Sequence, residues 1–271
     1  KATNMLHFFL KTFGEGITRV YLNPYNQKIW KFDPSLMDTQ MVERIPKPPK
    51  EDVIKSAKGI TTEGYKHQLY FHYPKNNGFQ SLVDAYKTNI TNKCTTYTST
   101  NIHTIHLKNN VWTVNTNQGS FSSQRLINCM PLHELAVYID LPKNVKHALN
   151  QLLYNSMYIV IIQVKKDFLG DNFAVYFPQK DCIFHRLSKL NFLGNDYCLG
   201  GQKSTLMAEI TFRPHSSLST FSQESIIDQV VNDLIKLNFI KTNDVLDTAI
   251  HYLKYAYVIY DLNHRKNTDL V

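Results

Sequence analysis

The chain has 271 residues, enough for one large domain or two small ones. Hydrophobic residues make up 43% and charged residues 19%, a balance that excludes a disordered chain, and 15 Phe and 16 Tyr promise a sizeable aromatic core. A net charge of +8 fits an anionic partner or a merely lysine-rich composition, but no Lys/Arg run exceeds two residues, so there is no basic stripe of the kind that reads nucleic acid.

Helical spacing is expected over residues 3–13 (Met5, Leu6, Phe8, Phe9, Phe13), ending at Gly14 and Gly16. Asp33-Pro34-Ser35 opens a short helix predicted to run to about Val42, with Asp33 or Ser35 as its cap. Arg44-Ile45-Pro46-Lys47-Pro48-Pro49 cannot be helical and reads as an extended strap. A short helix over 51–57, a strand over 68–73, the turn Asn76-Asn77-Gly78 and an amphipathic helix over 80–92 follow. Short strands are expected at 95–100, 102–108, 111–116, 120–124 and 125–128, with turns at Asn109-Asn110 and Asn117-Gln118-Gly119. Then come a helix over 143–153, strands at 156–166, 173–178, 182–187 and 205–213, an amphipathic helix over 222–237, and strand or mixed strand and turn over 245–260.

Several kinds of chemistry are missing. Cys94, Cys129, Cys182 and Cys198 form no CxxC pair, which argues against a zinc site or disulfide framework and fits a reducing, cytoplasmic setting. No apolar run reaches membrane-spanning length, and no signal peptide is evident. There is no GxSxG, HExxH or P-loop; His103 and His106, three apart in a strand pattern, point to opposite faces. Glycine is scarce, 10 in all, and no GxGxxG follows a strand, as a chain that holds a dinucleotide by itself would normally have.

Five segments, in order, resemble the UDP-galactopyranose mutases and the related FAD-dependent amine oxidases and protoporphyrinogen oxidase-like enzymes. They are Asn23–Trp30 with Asp33-Pro34 and the strap Glu43-Arg44-Ile45-Pro46; Tyr73-Pro74-Lys75-Asn76-Asn77-Gly78-Phe79, which departs from the family's YPKGG by Asn for glycine; the meander leading to Leu126-Ile127-Asn128-Cys129-Met130-Pro131; Cys182-Ile183-Phe184-His185-Arg186-Leu187-Ser188 with Asn191; and Tyr257-Val258-Ile259-Tyr260-Asp261, with Val258 where the family has proline. The likeness covers nearly the whole chain, while the family's N-terminal dinucleotide fingerprint and C-terminal flavin segment would lie outside it, so the chain reads as an interior piece.

The resemblance implies an α/β fold of α+β character: a mixed-sheet substrate-binding domain with part of a Rossmann-like FAD-binding domain. Residues 1–75 would be part of the substrate domain, 76–135 part of the FAD-binding domain with the meander, and 136–271 the substrate-binding sheet and helix. It implies FAD in the intact protein, with little or none held by this chain alone, and conversion of a UDP-sugar between pyranose and furanose through a flavin N5–sugar adduct. The alternatives are an amine oxidase-like or protoporphyrinogen oxidase-like oxidoreductase, or a non-catalytic binding fragment.

Carried over residue by residue, the resemblance makes Arg44 and Arg186 the pair that grips the substrate diphosphate, a role suited to bidentate, charge-assisted bonds. Trp30 and Tyr25 would stack on sugar or uracil, Tyr257 would donate to phosphate, and Asn191 would lie nearby. Ile102, Met130 and Pro131 fall where the family's backbone touches FAD. For the aromatics and arginines, core packing or an ordinary salt bridge is the competing explanation. His185, as the strand neighbour of an inward Arg186, is expected to face solvent.

Overall fold

The computed structural model describes residues 2–42, 45, 47, 49–62, 71–198, 200–201 and 203–271; Arg44 and residues 68–70 of the strand expected over 68–73 lie outside the described residues. The chain divides into two compact units, Asp84–Leu153 with Asn263–Val271, and Lys1–Val83 with Tyr154–Leu262.

The smaller unit is built on an antiparallel meander of β1 (Ile102–Lys108), β2 (Val111–Thr116) and β3 (Gly119–Ser123). Asn109 and Asn110 join the first two strands with φ of 52° and 61°, the left-handed pair that a tight two-residue hairpin requires. Helices Leu132–Tyr138 and Lys143–Asn150 each start behind a proline, Pro131 and Pro142, at the cap position. The expected strands at 95–100 and 125–128 do not form. Turn side chains claim their backbone groups first: Gln118 Nε2 donates to Thr98 O at 2.7 Å, and Asn117 Oδ1 accepts from Asn101 N at 2.7 Å. Asn128 likewise folds its amide onto Met130, at 2.9 and 3.1 Å.

The larger unit carries the site. Its sheet has the order β5-β6-β7-β4-β8, formed by β4 (Leu153–Val164), β5 (Ala174–Tyr176), β6 (Arg186–Lys189), β7 (Ser204–Phe212) and β8 (Val245–Ile259). Strand alternation gives it two distinct faces. Val160, Ile162 and Val164 of β4, with Leu206, Ala208 and Ile210 of β7, bury one face against helix Gln223–Lys236, which offers Ile226, Val230 and Leu234 at four-residue spacing. Ser222 caps that helix through Ser225 N. The odd residues of β7 point the other way, and there helix Asn23–Trp30 lies over the sheet, with Thr211 Oγ1 bonded to Lys28 O at 3.3 Å.

Helix Asn23–Trp30 continues from Glu15–Ile17 through a π-turn at Thr18–Leu22 and ends at Lys31, whose φ of 49° turns its N–H back to Gln27 O. The N-terminal helix runs Met5–Phe13, capped by Asn4 Oδ1 on His7 N. The helix expected from Asp33 to Val42 is a single 3₁₀ turn, Pro34–Leu36. Met37 is extended instead and bridges to Asp261, while Asp38 N bonds to Tyr260 O. The strand expected at 182–187 is displaced to Arg186–Lys189. Ile183 N donates at 2.6 Å to Asp233 Oδ2 of helix Gln223–Lys236, so the apolar run ahead of Arg186 is spent on packing rather than on a ladder.

Candidate functional site

Register builds the centre of the site. Tyr176 of β5 stands opposite Arg186 of β6, and Arg186 stands opposite Glu209 of β7. Directly opposed residues of antiparallel strands share a face, so the three side chains form one row beneath helix Asn23–Trp30. The Arg186 guanidinium Nη2 donates to Glu209 Oε1, and His185 Nε2 lies 3.5 Å from Glu209 Oε2, a long, weak polar contact.

The burial of the three is unequal. The Glu209 side chain is 3% exposed and that of Arg186 35%. Arg186 therefore has a buried anchor and an open end. Its Nε has no partner among the described residues, and a guanidinium has five N–H donors to satisfy.

The titration directions follow from this arrangement. Burial raises the Glu209 carboxyl, but His185 and Arg186 outweigh it and hold it below the ordinary carboxylate range. Burial lowers the Arg186 guanidinium, yet Glu209 leaves it raised overall. Burial lowers His185 most, Glu209 offsets part of that, and the ring stays neutral at physiological pH.

Tyrosines surround the open end. Tyr25 packs edge-on to Tyr176 at 5.7 Å, parallel to Tyr21 at 5.5 Å, and tilted against His185 at 6.3 Å. Tyr257 packs on Trp30 at 5.7 Å and lies within electrostatic reach of Arg186. Burial pushes the phenols of Tyr25, Tyr21 and Tyr257 up, so all three are neutral donors at physiological pH.

The structure brings Arg186, Tyr25, Trp30 and Tyr257 together. Trp30 is 5% exposed and gives its indole N–H to Asn26 Oδ1 at 2.9 Å, so its ring serves mainly as a wall behind Tyr257. Asn191 spends its amide on backbone, accepting from Thr205 N at 2.9 Å and donating to Lys203 O at 3.1 Å. Ile102 and Met130 are half-buried and Pro131 exposed, all in the smaller unit.

His185 does not face solvent as expected: it is 1% exposed. Its N–H donates to Glu209 O and its carbonyl accepts from Phe177 N, both at 2.9 Å, so His185 and Arg186 both stand against Glu209, the alternation breaks as in a bulge, and both side chains turn toward the carboxylate. Sequence reasoning missed Glu209, although a lone acid in the apolar run Thr205–Phe212 is itself a signal, since a charge in a buried strand needs a partner.

FAD needs a place for its diphosphate, usually a glycine-rich turn opening a helix. Gly78, ahead of helix Gln80–Ile90, is covered by the Tyr73 and Tyr197 hydroxyls, which lie 2.8 and 2.9 Å from where a Cβ would be. The sequence has no GxGxxG. Among the described residues, none forms a turn that fits this group.

The whole chain superposes on a crystal structure of reduced UDP-galactopyranose mutase with a TM-score of 0.85, at 20% identity, covering 100% of this chain and 59% of that one. The chain shares the fold of that structure. A putative protoporphyrinogen oxidase from Exiguobacterium sp. 255-15 matches over 99% of this chain and 59% of its own, with a TM-score of 0.70 and 13% identity. A CLA-producing fatty acid isomerase from P. acnes matches over 98% of this chain and 57% of its own, with a TM-score of 0.63 and 12% identity. The chain thus spans about three fifths of the length of these solved structures. No protein-family model matches it. Among the described residues, no helix is long and apolar enough to cross a membrane.

Proposed function

We propose that the intact protein is a flavin-dependent nucleotide-sugar enzyme of the UDP-galactopyranose mutase type, and that this chain contributes the substrate grip. Arg186 is assigned to the diphosphate, with Arg44 as its second arginine and Tyr257 and Tyr25 as neutral donors and ring surfaces around it. Residues 76–135 are assigned to the flavin-binding side, with Ile102, Met130 and Pro131 as its backbone contacts. The observation that carries the reading is the partly exposed Arg186 guanidinium, anchored from behind by buried Glu209. Such an arginine is already oriented and charged when an oxyanion arrives, so little ordering is lost as negative charge builds on a leaving diphosphate.

The competing reading is an amine oxidase-like enzyme. A protonated amine entering among Tyr25, Tyr176 and Tyr257 would find ring faces suited to a cation, but it would meet the Arg186 charge at the same place. Like charges in a partly desolvated site repel, which favours the anionic substrate. Calorimetric titration of UDP into the protein tests the choice. UDP should bind, and Arg186→Ala should weaken it by about 2–3 kcal/mol, with Arg186→Lys in between because lysine keeps the charge but loses the fork. No measurable UDP binding, with an aromatic amine bound instead, would overturn the reading.

A further inference from the structure

Helix Asn23–Trp30 has a second face that the proposed substrate site does not use. Pro24, Gln27 and Lys28, together with Lys31 just beyond the helix end, recur at the three- and four-residue spacing of one helical stripe. Tyr25, the residue that faces Tyr176 and His185, is turned about 100° from Pro24, the rotation of one helical residue. The lysine stripe lines its own cavity of about 340 Å³, and Lys180 and Cys182 form the opposite wall.

The charge of this cavity is one-sided. Three lysines line it and no carboxylate does. Lys28 is only 8% exposed; its Nζ donates to Gln179 O at 2.7 Å and lies 3.2 Å from Cys182 Sγ. Neither partner carries a countercharge for the ammonium in the neutral thiol state that burial of Cys182 favours. Burial, and then the charge of Lys28, lower the Lys31 ammonium. Among the described residues, no carboxylate comes within 4.0 Å of any of the three ammonium groups. Asp181 and Asp233 act on Lys28 from farther away and line the neighbouring cavity.

A buried ammonium is ordinarily paired, because taking it out of water costs more than a hydrogen bond to a carbonyl returns. Lys28 and the half-buried Lys31 repel one another beside this cavity, and an anion held between them would relieve both. The geometry points to a binding site for a phosphate group: a dianion held between Lys28, Lys31 and Lys180, with the Gln27 amide as a neutral donor. Ile183 and Leu218 supply apolar wall beside it, which suits a phosphate carried on a small organic molecule. The site does not depend on the mutase reading, since none of its residues touches Arg186 in that assignment.

The test uses inorganic phosphate and phenyl phosphate as probes, titrated calorimetrically into the protein at ionic strength matched with sodium chloride. Both should bind with one-to-one stoichiometry, and phenyl phosphate more tightly if the apolar wall is used. Equal affinities would assign the site to free phosphate and still support it. Lys28 is too buried for its variant to be sure of folding, so Lys31→Asn and Lys180→Gln carry the argument. Asparagine tolerates the left-handed backbone at residue 31. Each should weaken phosphate by about tenfold, the loss of one charge-assisted contact, while the control Lys143→Gln leaves it unchanged. Absence of binding above the chloride control would overturn the site. So would a loss on Arg186→Lys as large as that on Lys31→Asn, which would place the phosphate among the tyrosines.

Discussion

Arg186 and Glu209 are direct cross-strand neighbours on β6 and β7, and one is a third exposed while the other is buried. The carboxylate therefore acts as a fixed anchor and the guanidinium as the presented group. Removing the anchor and removing the presented group should have different signatures. Glu209→Gln should destabilise the fold by about 2–3 kcal/mol, at or below the lower end for breaking a buried pair, because water reaches Arg186 and shares the cost. It should also weaken UDP, since the guanidinium loses its orientation. Arg186→Ala should cost UDP affinity at least as much, and it leaves Glu209 buried without its partner. Urea unfolding and UDP calorimetry on both variants check this. If Glu209→Gln weakened UDP without any loss of stability, the anchoring role would be wrong.

His185 sets a pH dependence of stability. Its folded pKa lies below the ordinary value because burial outweighs Glu209. Above about pH 6.5 the ring is neutral in both states and contributes no slope. Below that, the unfolded chain takes up a proton that the folded chain refuses, so stability falls as pH falls, by up to about 1.4 kcal/mol per pH unit for one proton. Glu209 is shifted in the same direction for the opposite reason, stabilisation of its charged form by its partners, and its contribution is present above about pH 4.3 and lost as pH falls through its folded value. The two windows are separable. Denaturant unfolding at pH 7.5, 6.5 and 5.5 should show a decline that flattens in His185→Gln. An unchanged slope in that variant would assign the dependence to other histidines.

Much of the fold was legible because its signals are periodic. Helix Gln223–Lys236 and strand Ser204–Phe212 fall within a residue of their expected limits, since one carries a four-residue stripe and the other an unbroken apolar run. The failures share one cause, local competition for backbone groups. Asn117 and Gln118 take up the partners of the segment at 95–100, and Asp233 takes Ile183 N, and neither event leaves a mark in the periodicity. In the candidate site, Arg186, Tyr25 and Tyr257 are singled out by motif resemblance rather than by pattern. Glu209, Tyr176 and Lys28 were not found, because their roles arise from cross-strand register and from a contact 154 residues away in sequence. The expectation that His185 faces water failed for a third reason: alternation was applied across a break where His185 and Arg186 both stand against Glu209.

The four cysteines should divide three to one in reactivity. Cys94, Cys129 and Cys198 are exposed, while Cys182 is 4% exposed beside Lys28. Burial pushes the Cys182 thiol up more strongly than Lys28 pulls it down, and a thiol is far less nucleophilic than a thiolate. A chromogenic disulfide reagent should therefore titrate three thiols quickly in the native protein and the fourth only on unfolding. Four fast equivalents would mean that the Lys28 ammonium holds Cys182 as a thiolate, reversing the balance assigned here.

At Gly78, backbone and side chains make separate demands. Its φ of 53° is left-handed, and a Cβ there would come 2.8 Å from Tyr73 Oη and 2.9 Å from Tyr197 Oη. Those two hydroxyls bond to each other at 2.9 Å, and Asn77 N donates to Asp196 across the same turn. The Tyr73 bond, more than burial, pushes the Tyr197 phenol up to about 12. Gly78→Ala should therefore do two things at once. It should cost about 1 kcal/mol for the backbone conformation and about another 1 kcal/mol for the parted hydroxyls. It should also let the Tyr197 phenol ionise nearer its ordinary value. Gly59→Ala separates the two costs, because Gly59 is also left-handed, with φ of 74°, but a methyl added there would have nothing within 4 Å. That variant should lose only the backbone share. Tyr73→Phe supplies the converse, lowering the Tyr197 pKa with no change at residue 78. Near-ultraviolet titration of tyrosine ionisation and urea unfolding on the three variants read both quantities. If Gly78→Ala and Gly59→Ala lose the same stability and the high-pH tyrosine transition does not move, the two rings simply swing aside, and the turn depends on glycine for its backbone alone.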